Sequence, residues 1–215
     1  RKVKGDYYLS EREEEDLRYL AEMNKPVILI LNAGGPVELT DILEQTDNIK
    51  GILNISQLGQ EGGDALADVL LGKEVPSGKL TTTWARRYED YPASEEYGYL
   101  NGNLEKEKYK EGIYVGYRYF DSFDKKVMFP FGFGLSYTMF EMKCCSINME
   151  ESKIRAEVQV TNTGNEYAGK EVVQIYVTLP QTELEKEYKR LAGFAKTRLL
   201  KPGETQTLTV EIPQK

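Results

Sequence analysis

The chain has 215 residues, with 28 Lys and Arg against 35 Asp and Glu and a formal net charge of −7. That length can bury a working core in one large domain or two small ones, and 40% apolar with 29% charged residues is ordinary for a globular protein. The acidic balance excludes a nucleic-acid partner gripped through its phosphates, and no run approaches the roughly 18 apolar residues of a membrane helix, so no membrane partner is expected.

Residues 1–85 alternate helix and strand signals. Ser10 followed by Glu13 fits a capping box, and Leu17, Leu20 and Ala21 share one face of a helix reaching about Asn24. PVILILN (26–32) is a continuous apolar run, as expected for a strand covered on both faces, and it ends at Ala33, Gly34 and Gly35. Pro36 suits the first turn of a second helix running to about Gln45. GILNISQL (51–58) reads as a second buried strand. Glu61 to Asp64 then lead into the helix ALADVLL, stopped by Gly72. KLTTTWA (79–85) reads as a third strand. Strand, helix, strand, helix, strand is the pattern of a mostly parallel α/β sheet, and three strands are few for one.

Residues 86–132 lose this rhythm and form a Tyr-rich linker. Within it EGIYVGYRYFDSF (111–123) has a strand-like texture, with Gly112 and Gly116 where bulkier residues would otherwise sit. From 133 onward the period becomes two. Ile154, Ala156, Val158 and Val160 alternate with Arg155, Glu157 and Gln159. Val173, Ile175 and Val177 share a face, and Leu208, Val210 and Ile212 alternate with Thr207, Thr209 and Glu211. Short alternating strands between Gly, Pro and Asn turns indicate an antiparallel sandwich of the fibronectin or immunoglobulin kind. Four or five strands are visible where about seven are needed, so 133–215 is expected to be an incomplete sandwich.

Residue types narrow the chemistry. There is no histidine, so a general acid or base must be Asp, Glu, Lys, Tyr or Cys, and no metal site or cofactor is expected. The only cysteines, Cys144 and Cys145, are adjacent; on a strand they would point to opposite faces, and two free thiols fit a reducing, cytoplasmic location. No leader-like basic and apolar stretch opens the chain, which begins at Arg1 as an excised piece would. The glycines do not hold a phosphate. LNAGGPVEL lacks the G-x-G-x-x-G spacing, and Pro36 removes an amide. The G-x-G of FPFGFGLSYT (129–138) precedes a strand rather than a helix. That segment instead reads as the junction into the sandwich, with Gly132 and Gly134 allowing positive φ or close backbone approach.

Four stretches, LNAGGPVEL, QLGQEGGDALADVLLGKEVPSGKLTTTW, EGIYVGYRYFD and FPFGFGLSYT, closely resemble in order and spacing the C-terminal half of glycoside hydrolase family 3. The likeness is to its β-glucosidases with a fibronectin type III-like domain, and it covers nearly the whole chain. It implies α/β plus all-β architecture: a partial α/β sandwich at 1–85, the linker at 86–132 and a truncated fibronectin-like sandwich at 133–215. It also implies a retaining hydrolase acting on terminal non-reducing β-D-glucosyl residues by double displacement, with β-xylosidase as the neighbouring activity. Its substrate partner would be a β-glucoside or cello-oligosaccharide. In the family a TIM-like barrel supplies the nucleophilic Asp, and the acid/base Glu lies in a loop just before a segment like KVKGDYYLS. The resemblance therefore implies that this chain carries neither carboxylate and works with a barrel as its partner.

Among resident residues Glu61 is the catalytic candidate, at a strand-to-helix turn where open α/β sheets meet ligands. A helix N-terminus favours its ionised form, opposite to what a general acid needs, and one carboxylate cannot fill two roles. Asp6, Asp64 and Asp121 are weaker candidates. Tyr117 and Tyr119 could stack on sugars at an outer subsite, or pack the linker against its neighbours. The alternative to an enzyme portion is a non-catalytic carbohydrate-binding or protein-interaction module, whose open sheet edges would also permit a homo-oligomer.

Overall fold

The computed structural model of the protein describes residues 7–23, 25–96, 103, 105, 106, 108–180 and 182–213. The chain forms two compact units, Arg1–Gly63 with Thr82–Pro130 and Asp64–Thr81 with Phe131–Lys215.

The first unit begins with α1 (Glu11–Glu22). Ser10 accepts the Glu13 backbone N–H while the Glu13 carboxylate accepts the Ser10 N–H at 2.8 Å, completing a capping box; the Ser10 hydroxyl, donating at 2.7 Å, and then that N–H hold Glu13 below the usual carboxylate range. Leu17 is the buried residue of this helix. Strands β1 (Val27–Leu31) and β2 (Ile49–Asn54) pair in parallel, from Val27↔Ile49 to Leu31↔Asn54, with α2 (Thr40–Gln45) between them in sequence. Two further short strands, β3 (Trp84–Ala85) and β4 (Val127–Phe129), pair antiparallel with each other. A 3-10 turn at Tyr88–Asp90 and the helix α4 (Tyr117–Ser122) complete this unit.

Several expectations are corrected here. PVILILN is a strand, but Ile28 is 56% exposed and Ile30 37%, so it is not covered on both faces. The second helix starts at Thr40, because the Glu38 N–H donates to Tyr7 O and Leu39 sits at φ −122°, ψ 2°. KLTTTWA does not join the parallel pair; only Trp84 and Ala85 are in a strand, and their partner is β4. EGIYVGYRYFDSF is not a strand. Gly116 at φ +57° turns the chain, and the N–H groups of Tyr119 and Phe120 bond back to its carbonyl to start α4.

The second unit holds the sandwich. One sheet orders β5 (Phe140–Met149), β6 (Lys153–Asn162) and β9 (Thr205–Pro213), all antiparallel; the other pairs β7 (Val172–Val177) with β8 (Arg190–Lys196). Alternation is kept faithfully: Val158 and Val160 of β6 and Leu208 of β9 form a core with Val173 and Leu200. Polar Gln159 and Thr207, opposite each other in the register, alternate with these core positions. Edge strand β5 is different. Its register puts Met142 opposite Val160 and Met149 opposite Ile154, yet both methionines are exposed. The helix α3 (Gly62–Leu70) runs into this unit, where the Tyr137 hydroxyl donates to Val69 O at 2.9 Å. In FPFGFGLSYT, Gly132 adopts φ +81°, and a Cβ on Gly134 would lie 2.2 Å from Gly78 O.

Candidate functional site

A cluster of polar and aromatic side chains in the first unit gathers around Tyr88. The Tyr7 ring meets those of Tyr8, Tyr88 and Tyr91 edge-on, at centroid distances of 5.8, 5.2 and 5.8 Å. Such edge contacts are the favoured arrangement of aromatic quadrupoles. The Tyr91 hydroxyl bridges β3, donating to Thr83 O at 3.1 Å and accepting from Ala85 N–H. Burial, then the Tyr91 hydroxyl, raises the pKa of Tyr7; burial followed by Glu89 pushes Tyr8 up to about 12. Both phenols are neutral hydrogen-bonding groups at physiological pH.

Glu38, which no sequence pattern singled out, supplies the carboxylate of this cluster. It accepts the Tyr88 N–H at 2.8 Å, and Arg87 lies 3.6 Å away, itself 2.8 Å from Asp41. Burial raises the Glu38 pKa, opposed by the Tyr88 N–H and by Arg87. This is the direction a general acid needs, but the carboxylate is engaged in tying the Tyr88 turn to the loop after β1. The sign of its pH effect follows. A folded pKa above the unfolded value of about 4.3 means the native state binds the extra proton, so stability falls as pH rises through the window between the two values. The thermal midpoint of Glu38→Gln relative to the parent should therefore improve between about pH 4 and about pH 7. A difference that does not change with pH would reject this assignment.

The expected site residues lie as follows. Glu61 is exposed in the turn ahead of α3, which Gly62 N–H closes onto Gly59 O at 3.0 Å. Asp64 lies in the first turn of α3, and Asp121 in α4. Asp6 lies outside the described residues. Tyr117 and Tyr119 are both half-buried on α4. The Tyr119 ring packs at 5.3 Å on buried Phe120 and 5.2 Å on Phe123, which in turn lies 4.9 Å from Tyr114. Among the described residues no group of three or more His, Cys, Asp and Glu is set to hold a metal ion, and no helix is long and apolar enough to cross a membrane.

The C-terminal domain of glycosyl hydrolase family 3 matches residues 4–117, and the fibronectin type III-like domain matches residues 171–215. The chain belongs to glycosyl hydrolase family 3. Among its relatives, β-glucosidase A of Butyrivibrio fibrisolvens is 42% identical over 97% of this chain, which spans 27% of that protein. β-Glucosidase 3B from Thermotoga neapolitana, solved in complex with α-D-glucose, superposes with a TM-score of 0.90 at 43% identity, covering 99% of this chain and 30% of that one. A β-glucosidase from Paenibacillus barengoltzii gives 0.93 at 39% identity over 99% of this chain and 23% of its own. The family 3 chain thus corresponds to the C-terminal part of these hydrolases, an α/β region followed by a fibronectin-like sandwich.

Proposed function

We propose that this chain is the supporting portion of a retaining β-glucosidase, whose nucleophile and acid/base carboxylate are supplied by a barrel and its neighbouring loop. The observation that carries this is the family 3 match to a C-terminal domain, in a chain spanning about a quarter of its β-glucosidase relatives. The resident carboxylates support it. Glu38 is tied to Tyr88 and Arg87, and Glu61 stands exposed in a turn, whereas retention needs two carboxyl groups about 5–5.5 Å apart across the glycosidic bond. Substrates are β-glucosides and cello-oligosaccharides, cleaved from the non-reducing end. Tyr117 and Tyr119 lie at an outer subsite of the whole enzyme, with Tyr119 braced by Phe120 and Phe123.

The test has two arms. The whole protein should hydrolyse an aryl β-D-glucoside with retention at the anomeric carbon, while the 215-residue chain and its Glu61→Gln variant both show no turnover. Inversion by the whole protein overturns the reading. So does turnover by the isolated chain that disappears in the Glu61 variant.

A further inference from the structure

Cys144 and Cys145 are both free and both exposed on β5, an edge strand of the three-stranded sheet. Regular pleating would send neighbouring side chains to opposite faces. The ladder with β6 departs from that pattern at this point: Cys144 pairs with Val158, and the next pair is Ser146 with Glu157. Cys145 is the extra residue of a bulge, in which two residues oppose one and the strict alternation is broken. Neither thiol is committed elsewhere. Their own contacts are long and local, Cys144 Sγ to Ser146 O at 4.0 Å and Cys145 Sγ to Lys143 O at 3.6 Å.

Adjacent Cα atoms are only about 3.8 Å apart, shorter than the roughly 4.4–6.8 Å usual for a disulfide. A direct S–S bond of about 2.05 Å therefore closes only with backbone strain, whereas an inserted atom lets the sulfurs stay farther apart. The number of donors selects that atom. Structural zinc takes about four ligands, and among the described residues no group of three or more His, Cys, Asp and Glu is placed to hold a metal ion. A carbon-substituted trivalent arsenical asks for two thiolates and brings its third substituent itself, and arsenic, like other thiophilic elements, favours soft sulfur ligands.

We propose that Cys144 and Cys145 form a bidentate thiol site for trivalent, carbon-substituted arsenicals. The exchange is balanced without an oxidant. The dihydroxyarsine form loses both As–O bonds, two As–S bonds form, and the two thiol protons leave with the hydroxides as two waters; arsenic stays trivalent. Once one sulfur is bound the second closes intramolecularly, which is what makes capture tight. This site is independent of the glycosidase reading.

The reduced chain is treated with phenylarsine oxide and followed by intact mass and by thiol titration with a disulfide dye. Expected are two titratable thiols in the folded chain, a single adduct that consumes both, and release by 2,3-dimercaptopropanol but not by an equal concentration of a monothiol. Cys144→Ser and Cys145→Ser should each weaken capture by about 100-fold or more, since only chelation is lost. Both side chains are exposed, so each variant should keep the parent's thermal midpoint. The proposal is overturned if the dye finds no thiol in the folded chain or if a single-serine variant captures as tightly as the parent. Zinc competing on equal terms with the arsenical would overturn it as well.

Discussion

Gly134→Val is expected to cost the 215-residue chain about 3 kcal/mol or more and to lower its thermal midpoint by roughly 6–12 °C. The cause is local and begins at the first side-chain atom. A Cβ at Gly134 would lie 2.2 Å from Gly78 O, a backbone atom that cannot rotate away, and 3.0 Å from the Lys79 side chain. Two backbone bonds flank the contact, Leu80 N–H to Phe133 O and Gly132 N–H to Leu80 O, each 2.8 Å. Lys79 fastens the same place through its ammonium, 2.7 Å from Gly134 O and 2.7 Å from the Glu171 carboxylate, with both ion-pair partners largely buried. Moving the Pro76–Gly78 segment aside to admit a methyl would disturb these bonds together. Gly134→Ala should therefore lose most of what the valine loses. Gly78→Ala is the control, because a Cβ there meets nothing within 4 Å. The measurement is calorimetric melting of the three variants. An alanine at 134 that melts with the parent would show that the close approach is dispensable.

This contact shows what a sequence can and cannot disclose. The spacing of glycines in FPFGFGLSYT marks a place of close approach or positive φ, and both occur there: Gly132 has φ +81° and Gly134 meets a backbone oxygen. Which backbone it meets is not local information, since Gly78 is separated from it by the whole Tyr-rich region. The alternation of Val158, Val160, Leu208 and Val210 was legible for a simple reason. Each strand has one face in the core and one outside, so burial repeats every second residue. Periodicity failed where the elements are too short to express it. α4 has six residues and one buried position, Phe120, so aromatic content suggested a strand until Gly116 turned the chain. KLTTTWA is rich in β-branched residues, yet Leu80 is bonded to the 132–133 turn and only Trp84 and Ala85 find a strand partner.

The candidate site divides in the same way. Glu61 could be named from its turn, and Tyr117 and Tyr119 from their aromatic context. Glu38 could not be named, because its pKa rises through burial and its principal partner, Tyr88 N–H, lies 50 residues away. The bulge at Cys145 was equally hidden, being a property of the register with β6 rather than of β5 alone.

Asn162 is expected to be the most demanding polar residue of the sandwich. It is 0% exposed at the end of β6, and every hydrogen-bonding position of its amide is used. Its Nδ2 donates to Tyr167 O at 2.9 Å and to Leu200 O at 2.8 Å, while its Oδ1 accepts the Thr138 hydroxyl at 2.6 Å and the Gly164 N–H at 3.0 Å. One side chain thus holds the segment entering β5, the turn after β6 and the segment before β9. Asn162→Leu keeps the volume but removes all four bonds; Leu200 O still accepts the Gly169 N–H at 3.0 Å, so the loss falls on the Thr138 hydroxyl, the Gly164 N–H and the Tyr167 carbonyl. At about 1–3 kcal/mol for a stranded buried group, and less than additively for one shared site, the loss should reach about 4 kcal/mol, or roughly 8–16 °C in midpoint. Asn162→Asp tests the donors separately. It keeps the acceptor for Thr138 and Gly164 but turns a second oxygen toward the Tyr167 and Leu200 carbonyls, so it should be as damaging at neutral pH. Protonation restores one donor and removes the charge, which raises the folded pKa of that aspartate. The aspartate variant should then regain stability relative to the parent as pH falls, while the leucine variant should not. Thr138→Val removes a single partner and should cost about 1 kcal/mol. If leucine at 162 left the midpoint within about 2 °C of the parent, the amide would be a bystander in a fold held by its apolar core alone.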